Sequence, residues 1–266
     1  MKSNTTTMML ALHDDINLII CGNLPDRSKL SFTSASKQFH PTKYKTLYTE
    51  LYDCAKICAV PYFDRFTNVY VTYEHKKLPR SITHLHFDTE ERESIEIPQT
   101  VTHLSFCAIF YDDMSGQIPN SVTHLSIADS FVKPKRGIIP NSVTHLYLEY
   151  NEMDNYYEFI YDIIPDSVTH LTFNNSFDDS IDRGIPSTVT HLVFGKYFNM
   201  SIDGNIPSSV IHVTFGKYFN QSINSLPTTV KEVVLNGRYN MEIDECVESR
   251  TRIIIVEEDE NIYGWW

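Results

Sequence analysis

The chain has little positive charge, little glycine and no long apolar run, and each shortage excludes a class of function. Lys and Arg number 22 against 34 Asp and Glu, a formal charge of −12, whereas nucleic-acid and anionic-membrane surfaces need clustered positive charge. The nine glycines form no phosphate-binding loop, and nucleophile-elbow and zinc-protease motifs are absent. No apolar run approaches the roughly 20 residues of a membrane span. We therefore expect no enzyme, no cofactor, and neither a nucleic-acid nor a membrane partner.

The chain also lacks the features of a secreted or metal-binding protein. Residues 1–12 contain no basic region followed by a long apolar segment, so we expect no secretory signal. The five cysteines are irregularly spaced, and no second pair completes a zinc site with Cys54 and Cys58. We interpret them as reduced thiols in a cytoplasmic protein, with the nucleus as the alternative location.

What the chain does contain is a repeated phrase, Ile-Pro-x-Ser-Val-Thr-His-Leu-x-Phe. Residues 118–127 and 185–194 are two copies, each with one substitution (Ile127 for Phe, Thr188 for Ser). A proline marks each copy: Pro79, Pro98, Pro119, Pro140, Pro165, Pro186, Pro207 and Pro227. The prolines lie about 21 residues apart, except for 25 between Pro140 and Pro165. A short fixed period is typical of a solenoid built from one small unit.

Each copy predicts a short strand with one buried face. Val122, Leu125 and Ile127 are spaced three and two apart, as in leucine-rich coils, and alternate with polar residues. Stacked coils would pair these strands in parallel about 4.8 Å apart. Beyond the strand, one aromatic column and one polar column recur, and we expect the first inside the coils and the second bonded to their turns. Their members are Phe177, Phe198, Phe219 and Tyr239, and Asp178, Asn199, Asn220 and Asn240.

The predicted fold class is a repeat solenoid, a leucine-rich-repeat-like array of short parallel strands with a small amino-terminal helical domain. We expect helices over residues 1–60, an entry strand within residues 61–76, coils over residues 77–256 and an acidic tail over residues 257–266. Leu12, Ile16, Ile19 and Ile20 recur on one helix face. A further amphipathic helix is predicted over residues 44–59, with Leu47, Leu51, Ala55 and Cys58 on its apolar side.

The amino-terminal segment resembles an F-box. Residues in register with that family are Leu12, Asp15, Ile16, Ile19, Ile20, Leu24, Leu30 and Ala35-Ser36-Lys37-Gln38-Phe39. Three positions depart from its pattern, since His13, Ala35 and Phe39 replace proline, valine and tryptophan. From Lys77 to about Val256 the chain resembles the FNIP repeat, a relative of leucine-rich repeats. An F-box followed by FNIP repeats is an architecture associated with amoebae and the giant viruses that infect them.

The resemblance implies a substrate-recognition adaptor of an SCF-type (Skp1–cullin–F-box) ubiquitin ligase. The F-box would dock a Skp1-like protein, and through it a cullin-RING ligase, while the solenoid holds an unknown target protein in the cytoplasm (the host's, if the chain is viral). The alternative is a protein-interaction scaffold with a helical cap and no ligase link. Candidate residues for Skp1 docking are Leu12, Ile16, Ile19, Ile20, Leu24, Leu30 and Phe39.

Seven histidines share one repeat position: His84, His103, His124, His145, His170, His191 and His212. Alternation with buried leucines places them on the outer, concave face of the predicted sheet. A metal-binding or proton-sensing stripe is one interpretation. We favour a structural ladder of neutral imidazoles, in which repulsion between like charges lowers each pKa.

Specific contacts are expected where the repeat varies, above all in the 25-residue interval. Insertions in repeat proteins emerge as loops on one face, and aromatic residues dominate interface hot spots. Candidate target-binding residues are therefore Tyr147, Tyr150, Tyr156, Tyr157, Phe159 and Tyr161. The alternative is an irregular coil that packs its own aromatic side chains.

Overall fold

The computed structural model describes residues 15–35, 37–72, 77–87, 96–106, 116–127, 137–148, 163–182 and 184–257. Residues 1–101 and residues 102–266 form two compact units. No helix within the described ranges is long and apolar enough to cross a membrane.

The first unit begins with helices and continues into parallel strands. Helix α1 covers residues 15–22, α2 covers Asp26–Ser34, and a 3-10 helix covers Lys37–Tyr44. The later elements are β1 (Tyr52–Asp53), α3 (Cys54–Ile57), a 3-10 helix (Phe63–Arg65), β2 (Asn68–Val71) and β3 (His84–Phe87). Strand β2 pairs in parallel with β1 and with β3.

The predicted amphipathic helix over residues 44–59 is wrong over most of its length, because only Cys54–Ile57 is α-helical and the residues before it contribute a strand. Tyr48 forms a parallel bridge with Phe66, and β1 follows at Tyr52. The Tyr48 side chain is fully buried and stacks on Phe66, with 4.8 Å between ring centroids. Leu47 and Leu51, assigned to the apolar face of that helix, are 44% and 53% exposed. Burial of the aromatic pair therefore outweighs the helical spacing of the leucines, and the strands begin before the predicted entry strand.

The second unit is a row of short parallel strands, one for each coil. Its described strands are β4 (His103–Phe106), β5 (His124–Ile127), β6 (His145–Leu148), β7 (His170–Phe173), β8 (His191–Val193), β9 (His212–Thr214), β10 (Glu232–Asn236) and β11 (Arg252–Val256). A short helix, α4, covers Glu245–Glu248 between the last two strands. Each strand pairs in parallel with the next. The predicted solenoid of leucine-rich-repeat-like coils is confirmed.

The pairing register places equivalent residues of successive coils side by side. His124 pairs with His103 and with His145, and Leu125 pairs with Leu104 and with Leu146. The leucines of this column are at most 2% exposed, whereas the histidines keep part of their surface exposed. One face of the strands therefore forms the core and the other carries the histidines.

The repeated proline begins a tight turn into each strand. The Pro119 carbonyl accepts a hydrogen bond from the Val122 N–H at 3.1 Å. The same bond joins each other marker proline to the residue three positions later, from Pro79 with Ile82 to Pro227 with Val230. Proline lacks an N–H and has a fixed φ, so it suits a position where only its carbonyl has to bond.

Beyond the strands, the two predicted columns behave as expected. The rings of Phe177, Phe198 and Phe219 are at most 2% exposed and stack 5.7 and 5.9 Å apart. In the polar column, Asp178 and Asn199 each accept the backbone N–H of the equivalent residue in the next coil, both at 2.8 Å. The polar column thus joins neighbouring coils where no strand pairing exists.

Candidate interaction surfaces

The described part of α1 turns its isoleucines toward solvent. Ile16, Ile19 and Ile20 are 48%, 66% and 40% exposed, while Asn17 and Cys21 on the opposite side are buried. Positions 16, 19 and 20 share one helix face because the α-helix repeats every 3.6 residues. Among the other candidate docking residues, Leu24, Leu30 and Phe39 are half-buried, and Leu12 lies outside the described residues.

Helix α2 is held by polar contacts on its buried side. The Lys29 ammonium lies 2.6 Å from the Asp26 carboxylate, and both side chains are less than 10% exposed. Asp26 accepts the Glu50 N–H at 2.8 Å, and Lys29 donates to the Leu47 carbonyl at 3.1 Å. Burial, together with the charge of Asp26 and a hydrogen bond to it, raises the pKa of the Tyr52 hydroxyl. Helix α2 thus contacts the segment that leads into β1 through buried polar groups, whereas the isoleucines of α1 remain 40–66% exposed.

The histidines of the second unit form a continuous stack. Ring centroids from His103 to His191 are 4.1 Å apart, with angles of 9–16° between neighbouring planes, and His212 follows at 4.6 Å. A metal ligand must direct a ring nitrogen at the ion within about 2.1 Å in the ring plane. Neighbouring planes are nearly parallel, so they do not converge on one ion. No cluster of three potential ligands occurs among the described residues, and the stack fits the structural interpretation.

A threonine fixes the orientation of nearly every ring in this stack. The hydroxyl of Thr123 lies 2.9 Å from Nδ1 of His124, and the same contact occurs at the four other Thr–His pairs of the unit. That hydroxyl is also 3.3 Å from the Thr102 carbonyl, which already accepts the N–H groups of Thr123 and His124. The threonine hydroxyl thus joins the imidazole ring to the backbone of the preceding coil, and this contact holds the ring in the stack.

The environment of the stack disfavours protonation. The pKa values of His145 and His191 are lowered to about 4, first by burial and then by the charges of neighbouring histidines. The same two causes lower the pKa of His170. The direction agrees with the sequence prediction, but burial outweighs the repulsion that the prediction invoked. These three imidazoles are therefore neutral at pH 7.

A pocket lies along this stack and includes one candidate target-binding residue. It is lined by His124, His145, Leu146, Tyr147, His170, Thr172, His191, Leu192, Val193, His212, Thr214 and Glu232. Tyr147 is half-buried in its wall. Ser126, which alternation would place on this face, is only 6% exposed. Tyr150, Tyr156, Tyr157, Phe159 and Tyr161 lie outside the described residues, so their role stays a prediction.

Glu232 ends the histidine column. It occupies the histidine position of the next coil, pairs with Arg252 at 3.0 Å, and lies 3.8 Å from Nδ1 of His212. His212 follows Ile211 instead of a threonine. The last histidine therefore faces a carboxylate instead of a hydroxyl.

A second surface, which the sequence interpretation missed, lies on the turns after β8, β9 and β10. Tyr197 and Tyr218 are 49% and 42% exposed, and their rings stack with centroids 5.3 Å apart. Nζ of Lys196 lies 5.5 Å from the Tyr197 ring centroid, and Cζ of Arg238 lies 5.9 Å from that of Tyr218. With Lys217, these residues form what we call the lysine–tyrosine ridge. The sequence feature that indicates this ridge is the recurrence of Gly-Lys-Tyr-Phe-Asn at residues 195–199 and 216–220.

Comparison with known proteins agrees with the repeat architecture. The FNIP Repeat family matches residues 114–151, 157–197, 177–218 and 198–238. Among solved structures, the chain is similar to CroV588, described as a novel circular LRR protein. The two share 28% sequence identity with a TM-score of 0.51, over 72% of this chain and 34% of CroV588, so the matched region spans about a third of that protein. No curated protein matches the chain significantly.

Proposed function

We propose that the chain is a substrate-recognition adaptor of an SCF-type ubiquitin ligase, in which α1 and α2 dock a Skp1-like protein and the coils bind a target. The observation that carries the proposal is the inverted polarity of the amino-terminal helices. Their buried side holds Asp26 and Lys29, and their exposed side holds Ile16 and Ile19. Apolar surface on a short helix is stabilised by burial against a partner.

The coils suit the second role, which is to hold a protein target. Each coil contacts only its neighbours, so the array presents a long surface whose side chains can vary without loss of the fold. The pocket along the histidine stack offers such variable positions at Tyr147, Thr172 and Val193. The adaptor itself would perform no chemistry and would need no cofactor.

Skp1 docking is tested by pull-down of the full chain with a purified Skp1 homologue. We expect the wild-type chain to bind and the variant Ile16→Asp with Ile19→Asp to lose binding, because two carboxylates would enter an apolar interface. Both side chains are largely exposed in the free chain, so the variant should fold. Ile255→Asp is the matched control, since Ile255 is 51% exposed on β11 in the other unit.

Equal binding by wild type and the double variant, or no binding by wild type, would contradict the proposal. The second result would favour the alternative function, a protein-interaction scaffold whose helices cap the first coil. The exposed isoleucines would then serve another contact. Far-ultraviolet circular dichroism of each variant separates loss of binding from loss of fold.

A further inference from the structure

The lysine–tyrosine ridge is a local exception on a strongly acidic chain. The chain has a formal charge of −12, yet three successive coils place a cation beside an exposed aromatic column on their turns. Tyr197 and Tyr218 form the column, and Arg238 holds the equivalent position in the third coil. In the first two coils the cation, Lys196 or Lys217, comes one residue before the tyrosine. Neither Lys196 nor Arg238 forms an ion pair with another described residue. Stacked rings flanked by cations favour a ligand that carries both carboxylates and aromatic groups.

The chain itself supplies a segment of that chemistry beside the ridge. Glu257 follows β11 and lies close to Gly237, the residue before Arg238. A Cβ built on Gly237 would be 3.7 Å from both Cα and Cγ of Glu257. Glu258, Asp259 and Glu260 come next, followed by Tyr263, Trp265 and Trp266. The segment thus carries three carboxylates, as many as the ridge has cations, and its aromatic residues follow in the sequence.

The segment can also reach the whole ridge. Two inter-strand spacings separate the turn of Arg238 from that of Lys196, which is about 10 Å at the spacing of paired strands. An extended chain spans about 3.3 Å per residue, so residues 258–266 reach roughly 30 Å. A segment joined to its site also has an effective concentration near the millimolar range. Weak contacts are therefore sufficient for binding within one chain.

We propose that the lysine–tyrosine ridge binds residues 258–266 of the same chain, through ion pairs with Lys196, Lys217 and Arg238 and through stacking on Tyr197 and Tyr218. Residues 258–266 lie outside the described residues, and they belong to the segment predicted above as an acidic tail. A target with an acidic, aromatic segment would have to displace them. The inference is independent of Skp1 docking, because it concerns only the second unit.

Tryptophan fluorescence of the full chain tests the inference, because Trp265 and Trp266 are the only tryptophans in the sequence. We expect their emission in the wild type to be blue-shifted and protected from acrylamide. The variant Lys196→Glu, Lys217→Glu, Arg238→Glu should shift the emission to the red and abolish the protection. Salt at 1 M, where the Debye length is about 3 Å, should act in the same direction on the wild type. Lys231→Glu, an exposed lysine of the coil that contains Arg238, should change nothing.

Three other results would overturn the inference. Wild-type emission equal to that of free tryptophan means that the ridge is unoccupied, and binding of an added acidic, aromatic peptide would then assign it to a partner protein. Protection that survives both charge reversal and salt means that the segment packs elsewhere. Equal release by Lys231→Glu means that overall charge, not the ridge, controls the segment. If the triple variant fails to fold, Arg238→Glu alone gives the same readout, because Arg238 is exposed on a turn.

Discussion

At the scale of single residues, two glycines permit neighbouring turns to approach closely. A Cβ on Gly195 would overlap the backbone carbonyl of Asn174, and one on Gly216 would overlap the carbonyl of Gly195. Both are backbone contacts, so no flexible side chain can move away. Lys196 and Tyr197 continue this turn, and their backbone N–H groups bond to Asn175 of the preceding coil.

Gly195→Ala or Gly216→Ala should therefore destabilise the second unit by about 1–3 kcal/mol, the usual cost of overpacking a close contact. Gly237→Ala is the matched control, because the nearest atom to its Cβ lies at an ordinary 3.7 Å. Urea denaturation of the three variants measures the difference in free energy of unfolding. Equal stability of Gly195→Ala and wild type would show that the turns can separate without cost.

Single residues also show why part of the structure escaped sequence reasoning. Asp26 and Lys29 are charged, and charged residues are rarely buried unless paired. Asp26 and Lys29 pair with each other, and two opposite charges three positions apart are an ordinary surface pattern in a sequence. In the structure, backbone groups of Leu47 and Glu50 complete their hydrogen bonding in the buried site. Every residue has such backbone groups, so the sequence does not indicate which of them will bond to a buried charge.

At the scale of elements, α2 depends on that buried ion pair. Lys29→Met should destabilise the first unit by roughly 3–5 kcal/mol, because it leaves the Asp26 carboxylate buried without its partner. Lys37→Met is the control, since Lys37 is exposed at the start of the following 3-10 helix. Hydrogen exchange of amides in α2 measures the effect. Unchanged protection in Lys29→Met would mean that packing, not the ion pair, holds the helix.

The sequence predicted the strands inside the repeated coils, but it did not predict the strand pairing of the segment before them. Strands β3 to β9 begin at the repeated histidine, because an alternating pattern in every coil points to the same buried face. The segment around Tyr48 occurs once, and its leucines satisfy a helical period equally well. Its pairing with Phe66 is a long-range contact that no local period reveals.

At the scale of the whole molecule, the histidine stack links stability to pH. Folding lowers the pKa values of His145 and His191 from about 6.5 to about 4, so the unfolded chain binds more protons between these values. The free energy of unfolding therefore falls as pH drops from about 6.5 toward 4, and this contribution is complete above that range. We expect the melting temperature to fall across the same window.

The variant His145→Gln with His191→Gln separates this effect from the titration of carboxylates. Its melting temperature should depend less steeply on pH than that of the wild type, because glutamine does not titrate. His40→Gln is the control, since His40 is exposed and outside the stack. Parallel pH profiles for the wild type and the double variant would show that the stacked histidines contribute nothing to the pH dependence.

The in-register pairing of equivalent residues has a consequence for how such a chain can change length. Residues 194–202 and 215–223 differ at few positions, and each contacts the coil before it through the same bonds. Recombination that deletes or duplicates one 21-residue coil would join surfaces of the same type on both sides. The 25-residue interval and the amino-terminal helices have no equivalent elsewhere, so they are the places where such an exchange would not preserve the contacts.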